Sequence, residues 1–156
     1  MTRGEEMLAL RRSRMAAAPP FLRGGFRPFF LAAAVWAVLA LLLWLLMFSG
    51  QLELPLGIAP LAWHRHEMLF GFAGAAIAGF LLTAVPNWTG RLPIAGAPLA
   101  LLCLLWLSGR IGLLLSQWIG VPMAGVLDVG FYLTLAIVIG REIVAERRLR
   151  SGVEPL

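Results

Sequence analysis

The stretch FFLAAAVWAVLALLLWLLMF, at residues 29–48, runs for twenty residues without a charged side chain. As an α-helix it would be about 30 Å long, which matches the hydrocarbon core of a bilayer. Further apolar runs follow at about residues 68–85, 97–117 and 123–140. The pattern predicts an all-α, polytopic membrane protein whose four transmembrane helices form up-down hairpins.

The composition supports a membrane protein and argues against a soluble domain. The chain is 60% hydrophobic and 13% charged, with a mean hydropathy of +0.86. Its net charge of +5 comes entirely from arginine, and most arginines flank the apolar runs, which is a topology signal. The predicted partner is therefore the lipid bilayer, and nucleic acid is not needed to explain the charge. The lone Cys103 excludes an internal disulfide framework.

The arginines also predict which way the chain faces. The N-terminal segment holds six, the loop at Arg91 one and the region from Arg141 onward four, which makes eleven, against Arg65 alone on the other side. By the positive-inside rule, both termini are cytoplasmic and the loop before residue 68 faces the periplasm of a bacterial inner membrane. The predicted organisation is a basic N-terminal segment (1–28), a four-helix transmembrane domain (29–144) and a basic tail (145–156). Within the N-terminal segment, residues 7–18 would form a surface helix or remain disordered.

Both histidines of the protein lie at the start of the second apolar run, in Trp63-His64-Arg65-His66-Glu67-Met68. Imidazole is the commonest metal ligand, so this stretch concentrates the chemistry of the chain. On a helix the two rings would diverge by about 200°, which predicts either two separate sites or a stretch that is not helical. Met68 follows His64 at helical spacing and would suit a soft metal, while Glu67 could orient a ring nitrogen. The alternative is a pair of interfacial histidines bonded to loop carbonyls.

The second apolar run also carries a face of small residues. Seven positions recur at spacings of three and four, so they share one side of a helix, which has little bulk after Met68: His64, Met68, Gly71, Ala75, Ala78, Gly79 and Leu82. Another helix packing closely is one interpretation. A flat macrocycle lying on the same face is the other.

Two charges occur inside the last two apolar runs. Arg110 and Asp128 are equidistant from a turn near Ile119, so an antiparallel hairpin brings them together. One interpretation is an ion pair that allows two charges to share a membrane. The other is a site role, such as holding an anionic group of a cofactor.

Three segments resemble the N-terminal portion of the NnrS family. They are GFRPFFL (25–31), the stretch WHRHEMLFGF (63–72), and GFLLTAVPNWTG (79–90) followed by Gly109-Arg110. The resemblance is ordered and runs from about residue 24 to residue 144. It implies a bacterial inner-membrane protein containing haem and copper and associated with the response to nitric oxide. It further implies a metal role for His64 and His66. From their positions, Met68 would be a cofactor contact beside His64, and Arg110 would reach a propionate if the cofactor is haem.

Family members are longer and have more spans, so the resemblance also implies that some ligands come from helices outside this chain, either further membrane helices or a homo-oligomer. Two other functions stay open. One is a truncated, structural membrane module without metal, and the other is a small transporter that uses Arg110 and Asp128. The sequence contains no nucleophile, base and orienting group in a recognisable set, and it assigns no reaction.

Overall fold

The computed structural model describes residues 3–150, and this part of the chain is helical and contains no strand. The helices are α1 (Arg3–Ala17), α2 (Phe26–Phe48), α3 (Pro60–Thr89), α4 (Ala97–Leu114), α5 (Ser116–Ile119) and α6 (Val121–Arg150), with a single 3₁₀ turn at Pro20–Leu22. Four of them, α2, α3, α4 and α6, are long and apolar enough to cross a membrane. The predicted fold class is confirmed.

Several helix boundaries differ from the apolar runs. Helix α3 begins at Pro60, ahead of the apolar run at residue 68, in agreement with the expectation that a proline suits a first helical turn. Helix α4 ends at Leu114, since the following residue leaves helical geometry, and Gly120 turns the chain at φ 84°. Helix α6 continues past residue 140 to Arg150. The first change places both histidines inside a helix.

Helix α1 gives the N-terminal segment one of its two expected forms. It spans Arg3–Ala17 and is followed by the 3₁₀ turn that leads into α2. Arg23 donates from Nε to the carbonyl of Ala18 at 2.9 Å, and Arg27 donates to the carbonyl of Pro20 at 2.5 Å. These bonds fix the connection between α1 and α2. The position of α1 on a membrane surface stays a prediction.

The small-residue face of α3 packs against α2. A Cβ on Gly79 would lie 3.1 Å from Phe29 Cβ, and a Cβ on Gly71 would lie 2.5 Å from Trp36 Nε1. Between them, Ala75 and Ala78 are fully buried. Close approach of a neighbouring helix is what small residues permit in membranes, so the helix interpretation of this face is the correct one.

The outer surfaces of the helices are apolar. Large hydrophobic side chains are exposed along every spanning helix, for example Leu41 on α2, Ile77 on α3, Leu104 on α4 and Leu133 on α6. A soluble protein rarely exposes so large a contiguous apolar surface. The chain is therefore an integral membrane protein whose helices face lipid.

Candidate functional site

A group of polar side chains lies where the four spanning helices meet, and all but His66, whose side chain is 26% exposed, are buried. Trp36 comes from α2, His66 and Glu67 from α3, Arg110 from α4 and Asp128 from α6. Glu67 is 0% exposed, Arg110 1% and Asp128 5%. We refer to these five residues as the buried polar cluster. Charged groups inside a membrane protein are costly, and they occur there when they are paired or functional.

Glu67 is the centre of the buried polar cluster. Its Oε2 accepts a hydrogen bond from Trp36 Nε1 at 2.6 Å and another from Arg110 Nη1 at 2.9 Å. Its second oxygen, Oε1, lies 3.6 Å from His66 Nδ1. One carboxylate therefore joins helices α2, α3 and α4.

Arg110 connects this carboxylate to the last helix. It donates from Nη2 to Asp128 Oδ1, while Asp128 Oδ2 lies 3.1 Å from His66 Nε2. The guanidinium carbon also lies 5.9 Å from the centre of the Trp106 ring, within cation-π range. Close contact between α4 and α6 is possible here because Gly109 has no side chain, and a Cβ at that position would lie 3.0 Å from the Asp128 Cα. The predicted contact of Arg110 with Asp128 is present.

Helix α3 widens into a π-helical segment at Glu67–Ala73, immediately after the histidines. The carbonyl of Gly71 accepts a hydrogen bond from Trp106 Nε1 at 3.1 Å, and the carbonyl of Phe70 accepts one from the Tyr132 hydroxyl. Side chains of α4 and α6 thus satisfy carbonyls of the widened segment. π-Helical segments are rare in proteins as a whole, and those that occur are often found at functional sites.

His64 and His66 point into different surroundings. The His64 ring stacks on Trp44 of α2, with 4.5 Å between ring centres. The His66 ring lies against Phe70 at 4.7 Å and reaches the carboxylates of the buried polar cluster. The divergence expected for a helical stretch is present, so the two rings belong to separate environments.

Several buried polar atoms near the histidines have no hydrogen-bond partner among the described residues. They include Nδ1 of His64, Nδ1 of His66 and Oε1 of Glu67, together with Trp63 Nε1 and Arg110 Nε. Buried polar groups normally have partners, so each exception calls for an explanation. Imidazole nitrogen and carboxylate oxygen are also the atoms that bind metals.

Sequence reasoning missed the tryptophans of this site. Trp36 and Trp106 stand edge to face, with ring centres 6.0 Å apart, and both donate from the indole nitrogen into the region of Glu67 and Gly71. The sequence feature that could have identified them is that both tryptophans lie in the middle of apolar runs. A buried indole needs an acceptor, and in these runs acceptors are scarce.

The family of the chain follows from a comparison with protein families. A family model described as NnrS protein matches residues 20–153, which is most of the chain. The chain belongs to the NnrS family. No curated protein and no solved structure matches it.

NnrS is generally a metal- and haem-binding family, so we tested whether the residues of this chain fit such groups. A haem on the small-residue face of α3 does not fit, because α2 covers that face through Phe29 and Trp36. The macrocycle interpretation of this face is therefore wrong. Any haem of this NnrS chain would have to lie on another surface.

Metal ligation by the histidines fits in part. The nitrogens without partners at His64 and His66 are suitable donors. Among the side chains that the structure describes, however, no three of His, Cys, Asp or Glu are arranged around one point as a metal site. Met68 is half-buried and packs against the core. This NnrS chain thus offers donor atoms without a closed ligand set.

Proposed function

We propose that this NnrS chain binds copper or haem iron through His64 and His66 and acts in the bacterial response to nitric oxide. The observation that carries the proposal is the pair of buried ring nitrogens, Nδ1 of His64 and Nδ1 of His66, which have no hydrogen-bond partner within the described part of the chain. Family membership supports the chemical identity of the ligand. When bound, the metal would supply coordination of nitric oxide and one-electron chemistry.

The charges of the buried polar cluster also support a bound cation. Counted in their ionised forms, Glu67 and Asp128 carry two negative charges and Arg110 one positive charge, which leaves one negative charge beside His66. In a medium of low dielectric constant an uncompensated charge is unfavourable. A metal cation held near His66, or a proton carried by the His66 ring itself, would offset it.

The residues around the histidines would orient the rings. Trp44 stacks on His64, and the carboxylates of Glu67 and Asp128 lie on either side of His66 at 3.6 and 3.1 Å. A carboxylate at the ring nitrogen that does not bind the metal fixes the orientation of the imidazole and raises its basicity. With Nδ1 of His66 as the ligand, Asp128 at Nε2 has this position, whereas Glu67 lies on the Nδ1 side. Glu67 is itself held by Arg110 and Trp36. In this proposal Glu67, Asp128 and Arg110 position the ligands and do not bind the metal.

Because the described residues do not close a ligand set, we propose that the remaining ligands come from a second copy of the chain or from further membrane helices. Arg110 is only 1% exposed and is occupied by two carboxylates. We therefore assign it to the buried polar cluster, and contact with a cofactor propionate would require it to leave these partners. For the orientation of the chain in the membrane we keep the proposal drawn from the unequal number of arginines on the two sides. Both termini are then cytoplasmic, and the histidines lie at the periplasmic side of the inner membrane.

Two other functions have less support. A purely structural module accounts for the ion pairs but not for the ring nitrogens without partners. A transporter based on Arg110 and Asp128 would need these charges to exchange partners during flux, whereas both are buried in the helix junction.

The test is an optical spectrum with iron and copper analysis of the detergent-purified protein, before and after addition of haem, copper and nitric oxide. We expect bound metal and a spectral change with nitric oxide. Protein that stays colourless and metal-free after reconstitution would favour the structural module. Ion flux in vesicles that depends on Arg110 and Asp128 but not on the histidines would favour the transporter.

A further inference from the structure

A second site lies at the opposite end of the bundle from the histidines. A cavity of about 300 Å³ opens between the connection from α3 to α4 and the last turns of α6. Its polar rim is formed by Arg91, Arg141 and Glu142, and its inner wall by Ile94, Leu102 and Val138. This cavity combines positive charge with an apolar wall at the end of a membrane bundle.

The rim is organised by one ion pair. Arg91 Nε donates to Glu142 Oε2 at 2.6 Å, and the Glu142 side chain is 9% exposed. This bond holds the Arg91 guanidinium at the cavity, whose lining includes both residues. Arg141 is exposed and lies on the same rim. Counted in their ionised forms, Arg91, Arg141 and Glu142 give the lining of the cavity a net charge of +1.

The apolar surface continues beyond the cavity. A neighbouring groove is lined by Leu22, Ala97 and Leu101, and Pro98 belongs to both the groove and the cavity. A ligand that fits both surfaces must have an anionic head and an apolar chain. Guanidinium groups bind phosphate through paired hydrogen bonds, and basic pockets between transmembrane helices bind the head groups of anionic lipids.

We infer that this cavity binds an anionic glycerophospholipid, with the phosphate at Arg91 and Arg141 and an acyl chain along the groove at Pro98 and Leu101. The inference is independent of any cofactor at the histidines.

The experiment is native mass spectrometry of the full chain, released from detergent micelles that contain equal amounts of phosphatidylglycerol and phosphatidylcholine. We expect phosphatidylglycerol to be retained preferentially. Arg91→Gln and Arg141→Gln should each lower that preference by about fivefold, as expected for one arginine at an anionic membrane surface. Arg65→Gln, an exposed arginine at the other end of the bundle, is the matched control and should leave the preference unchanged.

Arg141→Gln is the more stringent variant, because Arg91→Gln also breaks the ion pair with Glu142 and could disturb folding. Equal retention of the two lipids, or an unchanged preference in Arg141→Gln, would overturn the inference. A further arm adds inorganic phosphate at millimolar concentration. If free phosphate displaces the lipid, the cavity is a site for small anions and the lipid assignment is wrong.

Discussion

Arg110 and Glu67 lie side by side in the interior of the bundle, with Nη1 of the arginine 2.9 Å from Oε2 of the carboxylate. The same oxygen accepts the indole hydrogen of Trp36, and the same guanidinium donates to Asp128. Each of the four spanning helices thus contributes to one connected set of hydrogen bonds. The stability of the bundle and the position of His66 both depend on it.

Replacement of Glu67 should destabilise the protein strongly. Glu67→Leu leaves the Trp36 indole without an acceptor and weakens the pairing of Arg110, and breaking a buried ion pair costs about 3–5 kcal/mol. Glu67→Gln should cost less, because an acceptor oxygen remains. The measurement is the free energy of unfolding in detergent, followed by tryptophan fluorescence. Glu53→Gln, at an exposed position, is the control, and a loss no larger than that of the control would contradict the prediction.

Arg110 and Asp128 should show energetic coupling. In a double-mutant cycle of Arg110→Leu and Asp128→Leu, we expect a coupling energy of about 0.5–3 kcal/mol, because the first substitution already removes the partner of the second. The double variant should still be less stable than the wild type, since Glu67 also loses its contact with Arg110. Expression level and unfolding free energy are the readouts. Strictly additive losses would mean that the two charges do not interact.

Gly71 should not tolerate a side chain. A Cβ there would lie 2.5 Å from Trp36 Nε1 and 2.6 Å from Glu67 Oε2, so Gly71→Ala should disturb the hydrogen bond between these residues. Overpacking of this kind costs about 1–3 kcal/mol. The matched control is Gly130→Ala on α6, where no atom lies within 4 Å of the added carbon. Equal melting temperatures for the two variants would show that Trp36 and Glu67 do not pack against Gly71.

Topology can be tested separately from chemistry. Reporter fusions after Gln51 and after Arg91 should report the periplasmic and the cytoplasmic side, respectively, because the arginine asymmetry places both termini inside. The reverse result would move the histidines to the cytoplasm. The same side for both fusions would be incompatible with α3 crossing the membrane.

The sequence alone predicted the parts of this structure that depend on local composition. Apolar runs of sufficient length predicted the four spans, and distance from the turn predicted the meeting of Arg110 and Asp128. The place of Glu67 was not predicted, because a helix start near Pro60 does not by itself show which side of α3 meets the other three spanning helices.

The π-helical segment and the indole donors could not be predicted for a different reason. The carbonyls of Phe70 and Gly71 are satisfied by Tyr132 and Trp106, which are distant in sequence. These hydrogen bonds depend on how α4 and α6 pack against α3, and the residue pattern of α3 alone does not indicate them. The same limit applies to Trp36, whose acceptor lies on the next helix.

The most direct test of the account is metal occupancy in histidine variants. Iron, copper and the visible spectrum would be measured after reconstitution for the wild type, His64→Ala, His66→Ala, the double variant and the control Arg65→Gln. Because the two rings lie in separate environments, the single variants should change the spectrum differently. We predict that the double variant loses the metal while Arg65→Gln keeps it, and wild-type occupancy in the double variant would contradict metal binding by the histidines.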